Sequence, residues 1–200
     1  MTALRRSQVK ENGLDKTTKR FTDASPLFKA RVAGAFYLLS ILTGIFAVSI
    51  PTGSLSLAAN LIGSACYVVV TLILYDLLKP VNRGLSLLAA LFSLAGCALG
   101  VLRMLHLPSP NVNELVFFGC YCLLLAYLIF RSTFLPRFLS ALLAIAGLGW
   151  LTYLSPSLGN HLFFPYLMIT GLVGEGSLTL WLLVFGVNTR RWNEQSRLSR

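Results

Sequence analysis

The chain has 200 residues, of which 56% are apolar and only 12% are charged, and its mean hydropathy is +0.72. Soluble domains carry about 25% charged residues, so this chain has too few charges to cover a globular surface. The composition therefore excludes an ordinary soluble domain and indicates a protein whose surface lies in lipid.

Six apolar runs, each long enough to cross a bilayer, follow one another along the chain. A spanning helix needs about 20 apolar residues, because each residue adds about 1.5 Å and the hydrocarbon layer is about 30 Å thick. The sequence predicts an all-α integral membrane bundle of six helices within a transmembrane domain at 26–188. The predicted helices lie at about 31–50, 57–78, 85–106, 113–131, 137–155 and 163–187.

Two basic tails flank this domain. Residues 1–25 are polar with no apolar core, which argues against a secretory signal peptide and predicts a disordered tail. Residues 189–200 form the second tail. Within "ASPLFKARVAG", Ser25 can cap a helix and Pro26 suits its first turn, so the first helix is predicted to begin before the hydrocarbon layer.

The basic residues are distributed very unevenly between the two sides of the predicted bundle. Threading six helices in alternation places sixteen of the 17 lysines and arginines on the side of the termini and only Arg103 on the other. The positive-inside rule therefore predicts that both termini are cytoplasmic. The net charge of +10 lies in short flanks that meet anionic lipid headgroups, which are the predicted partner, and nucleic-acid binding is not predicted.

One carboxylate, Glu175, lies in the middle of the last apolar run, in "TGLVGEGSLTLWLLVFG". An ionised group there costs at least about 2.5 kcal/mol unless something compensates its charge. Three interpretations remain open. Glu175 forms a structural ion pair with Arg103, or it acts as a proton carrier, ligand counter-ion or acid/base group. Alternatively it is a protonated carboxyl bonded to Thr170, Thr179 or a backbone carbonyl.

Arg103 is the natural candidate for a charge partner because it is the one basic residue away from the terminal side. It shares a helix face with Gly96 and Gly100 in "GCALG", and small residues mark close contact between membrane helices. Glu114 competes for it. Asn111 and Glu114 also have the spacing of a capping box at the start of the fourth helix.

Histidines and cysteines give no metal site. Cys66, Cys97, Cys120 and Cys122 all fall inside predicted helices, where small apolar thiols serve as packing residues. No cofactor is predicted. The secondary polar candidates for a site are Glu114, His106, Thr179 and Tyr121.

Four stretches, in order and spacing, resemble a bacterial membrane family, domain of unknown function 4386. They are "RVAGAFYLLSILTGIFA", "LYDLLKPVNRGLSLLAALF", "FFGCYCLLLAYLIFRSTFLPRFLSALLAIAGLGWL" and "GEGSLTLWLLVFGV". The resemblance covers most of residues 31–187 and is most specific in "YLIFRSTFLPRFLS" and from Glu175 to Trp181. It implies a helical bundle in a bacterial cytoplasmic membrane and transfers no catalytic residues. Where similar proteins often carry an arginine and a histidine, this chain has Ser93 and Tyr121.

Three functions follow as alternatives. The favoured one is a non-enzymatic bundle with a polar intramembrane site near Glu175 and Arg103, for small-molecule or proton binding, transport or sensing. Glycines 171, 174 and 176 are expected to loosen or break the last helix in that case. The second is a structural or accessory protein that binds a second copy or a membrane partner through small-residue faces. The third is an intramembrane enzyme, which no catalytic motif supports.

Overall fold

The computed structural model describes residues 25–50, 53–108 and 112–198, apart from the side chain of Phe164. These residues form helices joined by short connections, with no strand among them. A 3₁₀ turn at Thr152–Leu154 and a π-helical turn at Phe163–Leu167 flank the shortest helix. The helices are α1 Pro26–Ser49, α2 Ser54–Leu78, α3 Arg83–Met104, α4 Glu114–Arg131, α5 Arg137–Leu151, α6 Pro156–Leu162, α7 Met168–Val184 and α8 Thr189–Leu198.

Six helical segments of the described chain are long and apolar enough to span a membrane. Four are α1 to α4, the fifth is α5 with its 3₁₀ extension (Arg137–Leu154), and the sixth is Pro165–Val184. The prediction of an all-α bundle with six membrane-length helices is therefore confirmed.

Side-chain caps fix several helix starts. The Ser25 hydroxyl accepts a hydrogen bond from the Phe28 N–H (3.2 Å), and Pro26 occupies the first turn, as predicted. The capping box at the start of α4 was predicted incorrectly. Asn113 caps this helix through the Leu115 N–H (2.9 Å), and Glu114 is its first residue. The proposed cap, Asn111, lies outside the described residues.

The six long helices form a closed ring. Each packs against its neighbours in sequence, and α7 returns to α1 and α5. We call the end with the start of α1 and the end of α7 the terminal side. The opposite end, with the end of α1 and the starts of α2 and α4, is the distal side.

The terminal half of the bundle contains a core of buried leucines. Leu74, Leu77, Leu128 and Leu139 are each at most 2% exposed. At its rim, Lys29 donates to Asp76 (2.6 Å), which also pairs with Lys79, as its spacing suggests. The helix α8 lies across this side, with the Trp192 indole N–H donating to the carbonyl of Leu77 (2.9 Å). Large apolar side chains cover the outward faces of the ring, as a hydrocarbon environment requires.

The helix α7 runs unbroken through its glycines, which corrects the expectation of a loosened or broken segment. Two of them instead allow α5 to approach closely. A Cβ at Gly174 would lie 2.8 Å from the carbonyl oxygen of Leu142, and one at Gly171 would overlap the Trp150 ring. The glycines therefore serve helix contact, and the third, Gly176, faces open space with only Leu172 of its own helix at 3.9 Å.

Candidate functional site

The Glu175 side chain points into the ring and is surrounded by hydrogen-bond donors. The Tyr37 hydroxyl donates to Oε2 over 2.8 Å, and the Trp150 indole N–H donates to Oε1 over 3.2 Å. The Tyr67 hydroxyl lies 3.5 Å from Oε2, and the Cys122 thiol lies 3.9 Å from Oε1. Four different helices, α1, α2, α4 and α5, thus contribute a group to one carboxylate on α7.

Packing holds these donors in place. The Tyr37 ring is fully buried and meets the Tyr67 ring edge to face, with centroids 5.4 Å apart. The Trp150 indole lies over Gly171, where no side chain stands in its way. Packing therefore fixes the positions of Tyr37 and Trp150 beside the carboxyl group.

The groups around the Glu175 carboxyl can serve either of its forms, because phenol oxygens accept hydrogen bonds as well as donate them. A carboxylate only accepts hydrogen bonds, whereas a protonated carboxyl also needs an acceptor for its own proton. The groups on Oε1 and Oε2 are an indole, two phenols and a thiol, all able to donate. None of the ion pairs within the described part of the chain includes Glu175. The contacting groups are neutral, and none of them is a cation of the described chain.

A cavity of about 230 Å³ adjoins the carboxylate. It follows α2 from Asn60 to Tyr67, about 10 Å along the helix, in the half of the bundle nearer the distal side. Its wall combines polar, aromatic and small side chains: Ser40, Gly44, Asn60, Gly63, Ser64, Tyr67, Cys97, Leu115, Phe118, Trp150 and Glu175. Glu175 is the one charged residue among them.

A smaller polar cluster lies toward the terminal side of the cavity. The hydroxyls of Thr71 and Ser93 are 2.6 Å apart and both side chains are buried. The Tyr121 ring packs against Tyr67, and its hydroxyl is buried. Beyond this cluster, toward the terminal side, lie the buried leucines of the core.

Arg103 and Glu175 are not brought together, which corrects the ion pair suggested by the sequence. Arg103 Nη1 lies 2.6 Å from Glu114 Oε2, and its Nη2 donates to the carbonyl of Val112 (2.9 Å). Glu114 begins the neighbouring helix and lies over Gly100, one turn from Arg103. Glu175 lies deeper, eight residues into α7. The nearer carboxylate, named above as the competing partner, is the one that Arg103 contacts.

The remaining candidates lie around the site or away from it. Thr179 donates to the backbone carbonyl of Glu175 (2.8 Å), and Thr170 to carbonyls of its own preceding turn, so neither contacts the Glu175 carboxyl group. His106 and His161 are exposed at the distal side. Among the described residues, no group of three or more His, Cys, Asp or Glu side chains could hold a metal ion.

Sequence reasoning missed the groups that surround Glu175, namely Tyr37, Tyr67, Trp150 and Cys122. A usable signal was present for the tyrosines. Tyrosines of membrane proteins concentrate at the headgroup level, yet Tyr37 and Tyr67 fall in the middle of long apolar runs. A buried carboxylate needs donors, and mid-helix phenols are suitable ones.

Comparison with known proteins gives a family and one relative. The family model described as Domain of unknown function (DUF4386) matches residues 52–114 and 111–186. A protein of Archaeoglobus fulgidus, described as uncharacterized, is 29% identical over 154 residues, which cover 74% of this chain and 94% of the relative. No solved structure matches the chain.

Proposed function

We propose that this protein binds a small molecule within the membrane, with Glu175 as the anchoring group. The chain belongs to the DUF4386 family, whose function is unknown. The proposal therefore rests on the site alone. The observation that carries this proposal is a carboxylate, held by fixed donors, in the wall of a cavity of about 230 Å³. The site centres on Glu175, and Arg103 stays outside it.

General energetics of membrane proteins support a functional role for Glu175. Ionisable side chains within spanning segments are rare because of their cost, and they usually mark ligand or ion sites. The volume indicates the size of the ligand. Pockets for drug-sized molecules measure about 300–1,000 Å³, so this cavity suits a smaller molecule.

We also propose that the termini are cytoplasmic and that the protein lies in the cytoplasmic membrane. The distribution of basic residues supports this orientation. In this orientation, the cavity lies in the extracytoplasmic half of the bundle and the leucine core in the cytoplasmic half. A cavity in that half suits a receptor or sensor, or the outward-facing state of a transporter.

One feature that favoured the accessory alternative, the small-residue face of α3, supports it less. The small-residue face of α3 is used within the chain, because a Cβ at Gly96 would lie 3.1 Å from the Phe118 ring and 3.3 Å from Phe117. The predicted homo-oligomer or membrane partner would need a different surface.

Thiol labelling tests whether the cavity is open. In a variant without native cysteines, Ser64→Cys places a thiol in the cavity wall, and Ser93→Cys places one in the buried cluster beyond it. We expect water-soluble methanethiosulfonate reagents added from the distal side to modify position 64 and to leave position 93 unreacted.

A cavity-filling change provides the control. A Cβ at Gly44 meets nothing within 4 Å, so Gly44→Leu extends into the cavity without a clash near its own backbone. Adding it should slow the modification of Ser64→Cys, because the leucine side chain occupies space that the reagent must enter. A thiol at position 64 that never reacts would mean a closed cavity and would overturn the proposed function.

A further inference from the structure

We propose that the ligand of this cavity is a small organic ammonium ion, held by the Glu175 carboxylate and the aromatic wall. This rests on the proposed function, because it assigns a chemical class to the molecule that the cavity binds. The chemistry is shared by free amines and by amine-bearing lipid headgroups.

Charge is the first support. The cavity wall contains Glu175 and no lysine, arginine or histidine. The nearest described cation on the distal side, Arg103, is already paired with Glu114 at 2.6 Å. A cationic ligand would neutralise the site, whereas an anion would meet an unscreened like charge.

The occupancy of the carboxylate oxygens is the second support. Oε2 accepts from Tyr37 at 2.8 Å and has Tyr67 at 3.5 Å. Among the described residues, Oε1 accepts the longer bond from Trp150 and the contact from the Cys122 thiol. A thiol at 3.9 Å is a weak donor, so an ammonium group that approaches Oε1 can take its place.

The aromatic residues of the wall are the third support. Tyr67, Phe118 and Trp150 all line the cavity together with Glu175. Aromatic faces attract cations, most strongly when water is excluded, and cages of such rings recognise alkylated ammonium groups. Asn60 and Ser64 add polar groups that can bind a hydroxyl or amine substituent.

Binding measurements on the full chain in phosphatidylglycerol nanodiscs test this assignment, because these discs carry no amine. The probes are choline, ethanolamine and 3,3-dimethylbutan-1-ol, the neutral isostere of choline. We expect calorimetric binding of at least one cation, with the neutral isostere at least about tenfold weaker. Glu175→Gln should abolish the difference, and Glu114→Gln, which removes a carboxylate outside the cavity, should keep it.

A second measurement keeps Glu175 intact, in case Glu175→Gln does not fold. On the Ser64→Cys protein, a trimethylammonium thiol reagent should react at least about tenfold faster than a sulfonate reagent. Both rates are normalised to the same reagents at Asn160→Cys, an exposed position of the distal side. Equal normalised rates would contradict a cation-selective cavity.

The outcomes separate the two proposals. Equal binding of choline and its neutral isostere would overturn the ammonium assignment and leave small-molecule binding intact. No binding of either cation up to about 10 mM, where ligands of millimolar affinity saturate, would also overturn the assignment. An unreactive Ser64→Cys would overturn the proposed function itself.

Adding phosphatidylethanolamine to the discs distinguishes the source of the ammonium group. A lipid headgroup ligand should raise the thermal midpoint of the protein and weaken choline binding by competition. Unchanged values would assign the site to a free ammonium ion.

Discussion

The bond from Tyr37 is the shortest contact of the Glu175 carboxylate, at 2.8 Å, and it joins α1 to α7 across the interior of the ring. Hydrogen bonds to charged groups contribute about 1.5–3 kcal/mol, and a buried partner left unsatisfied costs a similar amount. This phenol is therefore expected to stabilise the fold as well as to orient the carboxylate.

Removing the Tyr37 hydroxyl should be costly while Glu175 is ionised. We expect Tyr37→Phe to lower the free energy of unfolding in mixed micelles by about 1.5–3 kcal/mol. The same change in a Glu175→Gln background should cost roughly 1 kcal/mol, because the bond to a neutral amide is weaker. Tyr127→Phe, at an outward-facing position 49% exposed, is the matched control and should change little. Equal costs in both backgrounds would argue against an ionised carboxylate.

Arg103 should be energetically independent of Glu175. We expect the unfolding free energies of Arg103→Gln and Glu175→Gln to add within about 0.5 kcal/mol in the double variant. Arg103 and Glu114, 44% and 25% exposed in their side chains, should show a coupling of about 0.2–1 kcal/mol, as partly exposed ion pairs do. A coupling above about 1 kcal/mol between Arg103 and Glu175 would indicate that these two side chains form an ion pair, in contradiction to the structure.

Individual residues differ in how far the sequence could place them. Glu175 could be predicted to face the bundle interior, because its position in an apolar run leaves an ionised group few other options. Its donors could not be assigned, since they come from four other helices whose rotations depend on the whole ring. From the sequence, Glu114 and Glu175 were both plausible ion-pair partners of Arg103. The position of α4 beside Gly100 brings Glu114 into contact with it.

The contact between α5 and α7 depends on glycines that remove side chains from the interface. The Cβ position of Gly174 lies 2.7 Å from the Ala146 Cβ and 2.8 Å from the Leu142 carbonyl oxygen. Neither neighbour is the end of a flexible side chain. A methyl group at Gly174 must therefore push the two helices apart.

Paired glycine substitutions test this role. We expect Gly174→Ala to lower the free energy of unfolding by about 1–3 kcal/mol through overpacking. Gly176→Ala, two residues away and facing open space, should be neutral or stabilise by up to about 1 kcal/mol through helix propensity. Equal effects of the two changes would contradict close contact at Gly174 and would favour a flexible segment.

Among the elements, helix number follows directly from the length of the apolar runs, and the prediction of six is confirmed. The role of the α7 glycines could not be predicted in the same way. Glycine weakens a helix and also permits close approach, and the sequence of one helix does not specify which neighbour lies beside it. In the structure, Gly171 lies against Trp150 and Gly174 against Leu142, so these glycines allow α5 and α7 to approach closely.

The terminal and distal halves of the bundle differ in how their interior is filled. The leucine core fills the terminal half, while the cavity, Glu175 and the Arg103–Glu114 pair lie toward the distal side. Which compartment the cavity faces depends on the orientation, for which the basic residues are the evidence.

Cysteine labelling in intact cells tests the orientation. Asn160→Cys lies on the distal side and Asn193→Cys on α8 at the terminal side, and both positions are exposed. We expect a membrane-impermeant maleimide added outside to label position 160 at once and position 193 only after permeabilisation. The reverse pattern would invert the bundle and turn the cavity toward the cytoplasm.

The most direct measurement is an experimental density map of the protein in lipid, inspected at the Glu175 carboxylate. We expect Tyr37 and Trp150 to donate to it, and non-protein density within hydrogen-bond distance of Oε1, in a cavity that continues to the distal face. A dry carboxylate enclosed by side chains that fill this space, or one bonded to Arg103, would contradict a binding site at Glu175.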